Sequence, residues 1–181
     1  MRTDLRKEGF VVAIDFQEKL MPAMNDEKKL VETSAKLIKG AKVLGMPCVA
    51  TTQYAKGLGD TVPEVAEALG DFVPIDKNTF SCCQNAEFME AVETLDRKTA
   101  VVIGAEAHIC VLQTALDLLD KGYEVYVVTD CIDSRDPLNK KMAIKRLEAA
   151  GAVIATYEMV LYEAVKGAKE EGFKEISGIV K

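Results

Sequence analysis

Apolar residues along this chain come in short continuous runs separated by segments of helical periodicity. Residues 99–103 (TAVVI) are apolar and β-branched and stop at Gly104, so they predict a strand buried on both faces. From Cys110 the period changes. Val111, Ala115, Leu118 and Leu119 recur at helical spacing up to Gly122, a residue suited to a left-handed helix cap, and residues 124–130 (EVYVVTD) follow as another strand. The same rhythm precedes this unit. Residues 9–14 (GFVVAI) form a first strand, Asn25 or Asp26 caps a helix reaching Gly45, and residues 46–52 (MPCVATT) form a second strand. Residues 53–61 predict a loop, 64–69 a short helix behind Pro63, and 71–75 (DFVPI) a brief strand that Pro74 assigns to a sheet edge. A helix from Asn85 or Ala86 to Leu95 leads into the central unit. A loop around Pro137, a helix over 139–150, a strand over 152–156 and a helix over 157–166 complete the pattern. Strands alternating with helices imply an α/β fold, a parallel six-stranded sheet covered by helices on both faces.

Length and composition narrow the possibilities. The 181 residues suit one domain over 1–181, and no apolar run approaches membrane-spanning length. A net charge of −6 with interspersed Lys and Glu leaves no basic stripe for a phosphate backbone, which argues against nucleic-acid binding and toward a small-molecule substrate. The N-terminal stretch MRTDLRKEGFVVAID lacks the long apolar core of a signal peptide, which points to the cytoplasm. Five cysteines, none spaced as CxxC, argue against a disulfide framework or a zinc site and for reduced thiols.

In an open parallel sheet the site lies outside the carboxyl ends of the strands. Asp15 ends the first strand, Gln53 and Tyr54 follow the second, Lys77 sits just past the third, and residues 104–110 follow the fourth. A carboxylate, an ammonium and a thiol meeting there make an acyl-transfer site: Asp15 as general base, Cys110 as nucleophile, and Lys77 lowering the pKa of both. Cys110, near a helix N-terminus, is then expected as a thiolate, and backbone N–H groups there offer an oxyanion site. Each residue also has a plainer reading. Cys110 packs as an apolar side chain, Asp15 caps a turn, and Lys77 is a solvated charge.

The stretches VVAIDFQEK, TTQYAKGLG, DKNTFSC and GAEAHICVLQTALDLLDKGYEVYVVTDCIDSR together resemble the isochorismatase-like family of cysteine hydrolases, and most closely its isochorismatase domain-containing branch. The resemblance runs from Gly9 to the C-terminus. It implies catalytic roles for Asp15, Lys77 and Cys110 and a cis peptide at Ala105-Glu106 that aims the N–H groups of Glu106 and Cys110 at an oxyanion. It further implies a Rossmann-like, three-layer α/β/α fold with strand order 3-2-1-4-5-6, and a homo-oligomer. Gln17, Gln53, Tyr54 and Phe80 match positions that line the pocket, although Tyr54 and Phe80 can equally pack as bulk. Nicotinamidases of the superfamily hold a metal with an Asp and histidines after strand two. This chain has one histidine in all, His108, so neither metal nor cofactor is expected. His108 either contacts substrate, orients the thiol, or is a hydrogen-bonded structural residue.

The expectation is therefore a metal-independent cysteine hydrolase cleaving a small amide or related C–N or acyl bond through a Cys110 thioester. The rival readings are a hydrolase-fold binding or scaffold protein without turnover, and an isochorismate-type ether hydrolase. Dinucleotide binding lacks a GxGxxG cradle. Cys82 and Cys83 are expected to pack, and Asp133, Ser134 and Arg135 to form a surface turn rather than part of the pocket rim or an interface.

Overall fold

A computed structural model describes residues 3–181. In chain order its elements are α1 (Leu5–Glu8), β1 (Gly9–Ile14), α2 (Glu27–Val43), β2 (Cys48–Gln53), α3 (Ala55–Leu58), α4 (Pro63–Leu69), β3 (Ile75–Lys77), α5 (Ala86–Thr94), β4 (Thr99–Ala105), α6 (Leu112–Asp120), β5 (Glu124–Asp133), α7 (Pro137–Ala149), β6 (Val153–Ala155), α8 (Tyr157–Val165) and α9 (Phe173–Val180). Single 3-10 turns occupy Met21–Ala23 and Cys82–Gln84, and a π turn, Ala107–Val111, precedes α6. Among the described residues no helix is long and apolar enough to cross a membrane.

The strands form one parallel sheet in the order β3-β2-β1-β4-β5-β6. Side chains alternate between its faces, which is why the central strands are apolar throughout. Val11, Ala13, Val101 and Ile103 pack into a layer with α2, α4, α8 and α9. Phe10, Val12, Ile14, Ala100 and Val102 pack into the opposite layer with α5, α6 and α7, which also holds Cys110. The sheet grows outward from β1 in one direction and from β4 in the other, so strand order reverses between them and opens a crevice at their carboxyl ends. Here the strands pack backbone to backbone. Gly104, paired with Ile14, has φ 125°, and a Cβ on it would lie 2.0 Å from the Ile14 carbonyl oxygen.

Several boundaries differ from the sequence expectation. The third strand is Ile75–Lys77 rather than 71–75, because Pro74 has no N–H for the ladder, so Lys77 is the last strand residue rather than one past it. The fifth strand continues to Asp133: past an irregularity at Val102/Gly104, Gly104 pairs with Ile132 and Ala105 with Asp133. The loop over 53–61 contains the short helix α3, and both chain ends add helices, α1 and α9, that the periodicity did not announce.

Candidate active site

Asp15 leaves β1 in the left-handed region, φ 56°, a conformation that Asp tolerates better than most residues. This turn takes the chain out of the sheet and leaves the side chain beneath the crevice. The Asp15 Oδ2 accepts from Lys77 Nζ at 2.8 Å and its Oδ1 accepts from the Thr51 hydroxyl at 2.8 Å. Lys77 directs its three N–H donors at three oxygens: Asp15 Oδ2, Gln53 Oε1 at 2.7 Å and the Thr79 carbonyl at 3.3 Å. The surface-charge reading of Lys77 is thereby corrected. Asp15 is 0% exposed, Lys77 2% and Cys110 6%, so an ion pair is held in the interior with its hydrogen-bonding capacity filled.

Cys110 lies in the π turn that joins β4 to α6, a local geometry common at functional sites. Its thiol lies within electrostatic range of the Asp15 carboxylate and the Lys77 ammonium. Burial first, and then the Asp15 charge, push the thiol up to about 12, with Lys77 pulling the other way. Desolvation and the neighbouring anion thus outweigh the single cation and work against the expected thiolate. For Lys77, burial works against the ammonium, but the Asp15 charge leaves it above the ordinary lysine range.

The strand end before the π turn is irregular. The Ala105-Glu106 peptide is cis. The Glu106 carbonyl accepts from the N–H groups of Ile109 and Val111, whereas the Glu106 N–H donates to no protein acceptor among the described residues. Unpartnered N–H groups are rare in folded proteins, so this one, four residues before Cys110 in the chain, is notable.

The remaining predicted positions divide. Gln53 is tied to Lys77 and donates to the Asn78 carbonyl. Gln17 is fully buried: its amide donates to the carbonyls of Gln53 and Gly59, and its oxygen accepts from the Gln53 N–H. It clamps the loop after β2 and leaves no surface to a substrate, which corrects its assignment as a pocket-lining residue. Tyr54 and Phe80 are 52% and 54% exposed, so neither is core bulk, whereas the Tyr54 ring packs over Gly57 of its own loop. His108 is half-buried, with Nδ1 2.9 Å from Ser134 Oγ. Cys82 is buried among the site residues and bonded through its N–H to Thr114 Oγ1, and all five cysteines are free.

Sequence reasoning missed Thr51, the second partner of Asp15, although its place at a strand's carboxyl end was a usable signal. It also took Asp133, Ser134 and Arg135 for a surface turn. Asp133 and Ser134 are buried, Ser134 holds His108, and Arg135 pairs with Glu106, so these residues join β5 to the π turn. Among the described residues no group of three or more His, Cys, Asp or Glu side chains is disposed to hold a metal ion.

A family model for the isochorismatase domain matches residues 10–159. Isochorismatase domain-containing protein 1 of Danio rerio is 36% identical over 167 residues, covering 92% of this chain and 59% of that protein, so the chain spans little more than half of its relative. Among solved structures, the MAR1 ribonuclease of Caenorhabditis elegans is 35% identical with a TM-score of 0.93, covering 99% of this chain and 92% of the other. The YcaC gene product of Escherichia coli, described as an octameric hydrolase of unknown specificity, is 25% identical with a TM-score of 0.92, covering 99% of this chain and 90% of that one.

Proposed function

The chain belongs to the isochorismatase family, and from that premise we propose that it is a metal-independent cysteine hydrolase of small amides or related acyl compounds, with Cys110 as nucleophile, Asp15 as general acid and base, and Lys77 as fixed countercharge. The observation that carries this reading is the buried Asp15 carboxylate, with the Lys77 ammonium at 2.8 Å and the buried Cys110 thiol near enough for both charges to act on it. In the first step the thiol proton moves to Asp15 as Sγ bonds to the carbonyl carbon. The negative charge passes from carboxylate to sulfur and then to the carbonyl oxygen, so the ammonium faces one anion throughout. The N–H groups of Glu106 and Cys110 receive the oxyanion. Collapse breaks the C–N bond as Asp15 returns its proton to the leaving nitrogen, giving a thioester and a free amine. Water then adds to the thioester carbon and loses a proton to Asp15. The C–S bond breaks, and Asp15 reprotonates the sulfur. The sum is amide plus water to acid plus amine.

Gln53 orients the Lys77 ammonium in this scheme, and Tyr54, Phe80 and His108 are assigned to substrate contact. A resting neutral thiol suits it, since the nucleophile forms only as the proton is taken. The C. elegans neighbour carries a ribonuclease name, but a chain of net charge −6 has little electrostatic attraction for a polyanion. The octameric E. coli neighbour supports a homo-oligomer here, and five free cysteines suit a reducing compartment such as the cytoplasm.

A panel of small amides and hydroxamates incubated with wild type and Cys110→Ala, followed by intact-mass measurement, tests the proposal. Turnover with an acyl adduct on Cys110, lost in the variant, is expected. Turnover that survives Cys110→Ala overturns it, and a folded wild type inert toward the whole panel returns the scaffold reading.

A further inference from the structure

Thr51 grips Asp15 twice. Its backbone carbonyl accepts from the Asp15 N–H at 3.2 Å, and its hydroxyl donates to Asp15 Oδ1 at 2.8 Å. The residue lies toward the carboxyl end of β2, paired with Ile14 on one side and Ile75 on the other, and is buried. Valine suits such a strand position equally well, so the strand itself does not call for a hydroxyl. A buried hydroxyl has one proton to give and lone pairs to fill. Here the proton goes to the carboxylate, the stronger acceptor, and the Cys82 thiol donates to Oγ1 from 3.8 Å. Cys82 is itself buried and held, with its N–H donating to Thr114 Oγ1. A chain of thiol, hydroxyl and carboxylate thus ends on Oδ1.

The two carboxylate oxygens differ in what faces them. Oδ2 faces the Lys77 ammonium, which has N–H donors and no acceptor. A proton on Oδ2 would be set against that cation and would displace its bond. Oδ1 faces a hydroxyl, which donates or accepts according to how it is turned. Rotation about the Thr51 Cβ–Oγ1 bond takes the hydroxyl proton from Oδ1 to the Cys82 sulfur, a weak acceptor, as the weakly donating Cys82 S–H turns aside. No bond to Thr51 is made or broken. We propose that the proton exchanged between Cys110 and Asp15 is carried on Oδ1, and that Thr51 is the positioning residue that holds this oxygen while it is anionic and yields once it is protonated. The inference rests on the cysteine-hydrolase reading and assigns the atom that does its acid–base work.

Asp15→Asn gives the site a permanent counterpart of the protonated carboxyl, with one accepting oxygen and one donating NH2 group. The amide is expected to turn its oxygen to Lys77 and its NH2 to Thr51, so that in isotope-edited NMR its protons give stronger NOEs to the Thr51 methyl than to the Lys77 ε-methylene. The opposite ranking overturns the proposal. Kinetics supply a second test, which serves if that variant does not fold. Thr51→Val keeps the shape without the hydroxyl and is expected to lower kcat at least about tenfold while KM changes by less than about twofold, the signature of a misplaced base. Thr51→Ser keeps the hydroxyl without the methyl and is expected to restore kcat to within about threefold of wild type. A Thr51→Val enzyme as fast as wild type, or a Thr51→Ser enzyme as slow as Thr51→Val, leaves Thr51 as packing and overturns the proposal. The two readings fail separately. An NH2 turned to Thr51 in a protein that cleaves no amide keeps the protonation site and ends the hydrolase reading; an NH2 turned to Lys77, beside Cys110-dependent turnover that Thr51→Val leaves unimpaired, does the reverse.

Discussion

Replacing Lys77 by Met gives the sharpest test of the buried pair. The substitution conserves much of the side-chain volume but removes the ammonium, and with it the bonds to Asp15, Gln53 and the Thr79 carbonyl. Asp15, fully buried, then keeps the Thr51 hydroxyl as its sole side-chain donor and has no adjacent cation. Removing one partner of a buried ion pair costs about 3 to 5 kcal/mol, chiefly because the other charge stays desolvated and uncompensated. For a domain of this length that lowers Tm by about 6 to 20 °C. Replacing both partners, Asp15→Asn with Lys77→Met, removes the stranded charge and is expected to recover at least about half of the loss, although neither variant turns over substrate. Thermal and urea denaturation of the two variants beside wild type measure the effect. A Lys77→Met protein melting within about 2 °C of wild type, or a double variant no more stable than the single one, would refute the argument that two charges are buried and mutually dependent.

Two further outcomes follow from the site and its scaffold. Because the Cys110 thiol is pushed up to about 12, its alkylation by iodoacetamide in the free protein should rise roughly tenfold per pH unit between about pH 7 and pH 10; mass mapping that shows a plateau below about pH 8 would indicate a resting thiolate instead. Gly104→Ala places a Cβ 2.0 Å from the Ile14 carbonyl oxygen, at a backbone φ of 125°, and should destabilise the sheet by more than about 3 kcal/mol or prevent folding, so a wild-type urea midpoint would show that β1 and β4 are not so closely packed.

Much of the sheet was legible because strands buried on both faces must be apolar along their whole length, as β1 and β4 are. Where that rule weakens, so did the reading. β3 has three residues, two of them charged, and β5 ends in Asp-Cys-Ile-Asp, a pattern resembling a loop until its pairing with Gly104 and Ala105 is known. The juxtaposition of Asp15, Lys77 and Cys110 followed from the rule that strand ends converge. The depth of the site did not. Lysine is seldom buried, so nothing local distinguishes Lys77 from a solvated charge, and the state of Cys110 depends on burial opposing the pull of one ammonium. Gln17 and Ser134 were misjudged because their partners, the carbonyls of Gln53 and Gly59 and the ring of His108, lie on loops whose paths the sequence does not encode locally.

Lys77 is the terminal residue of a three-residue strand at one edge of the sheet, while Asp15 and Cys110 are anchored near the middle. The reactive centre thus depends on an edge that can peel away without taking the core with it, and edge segments open at lower free energy than interior ones. Mild denaturant silences such a molecule before it melts. On the proposed hydrolase reading, whatever grips that margin, a bound acyl compound or a neighbouring subunit, would hold Lys77 against Asp15.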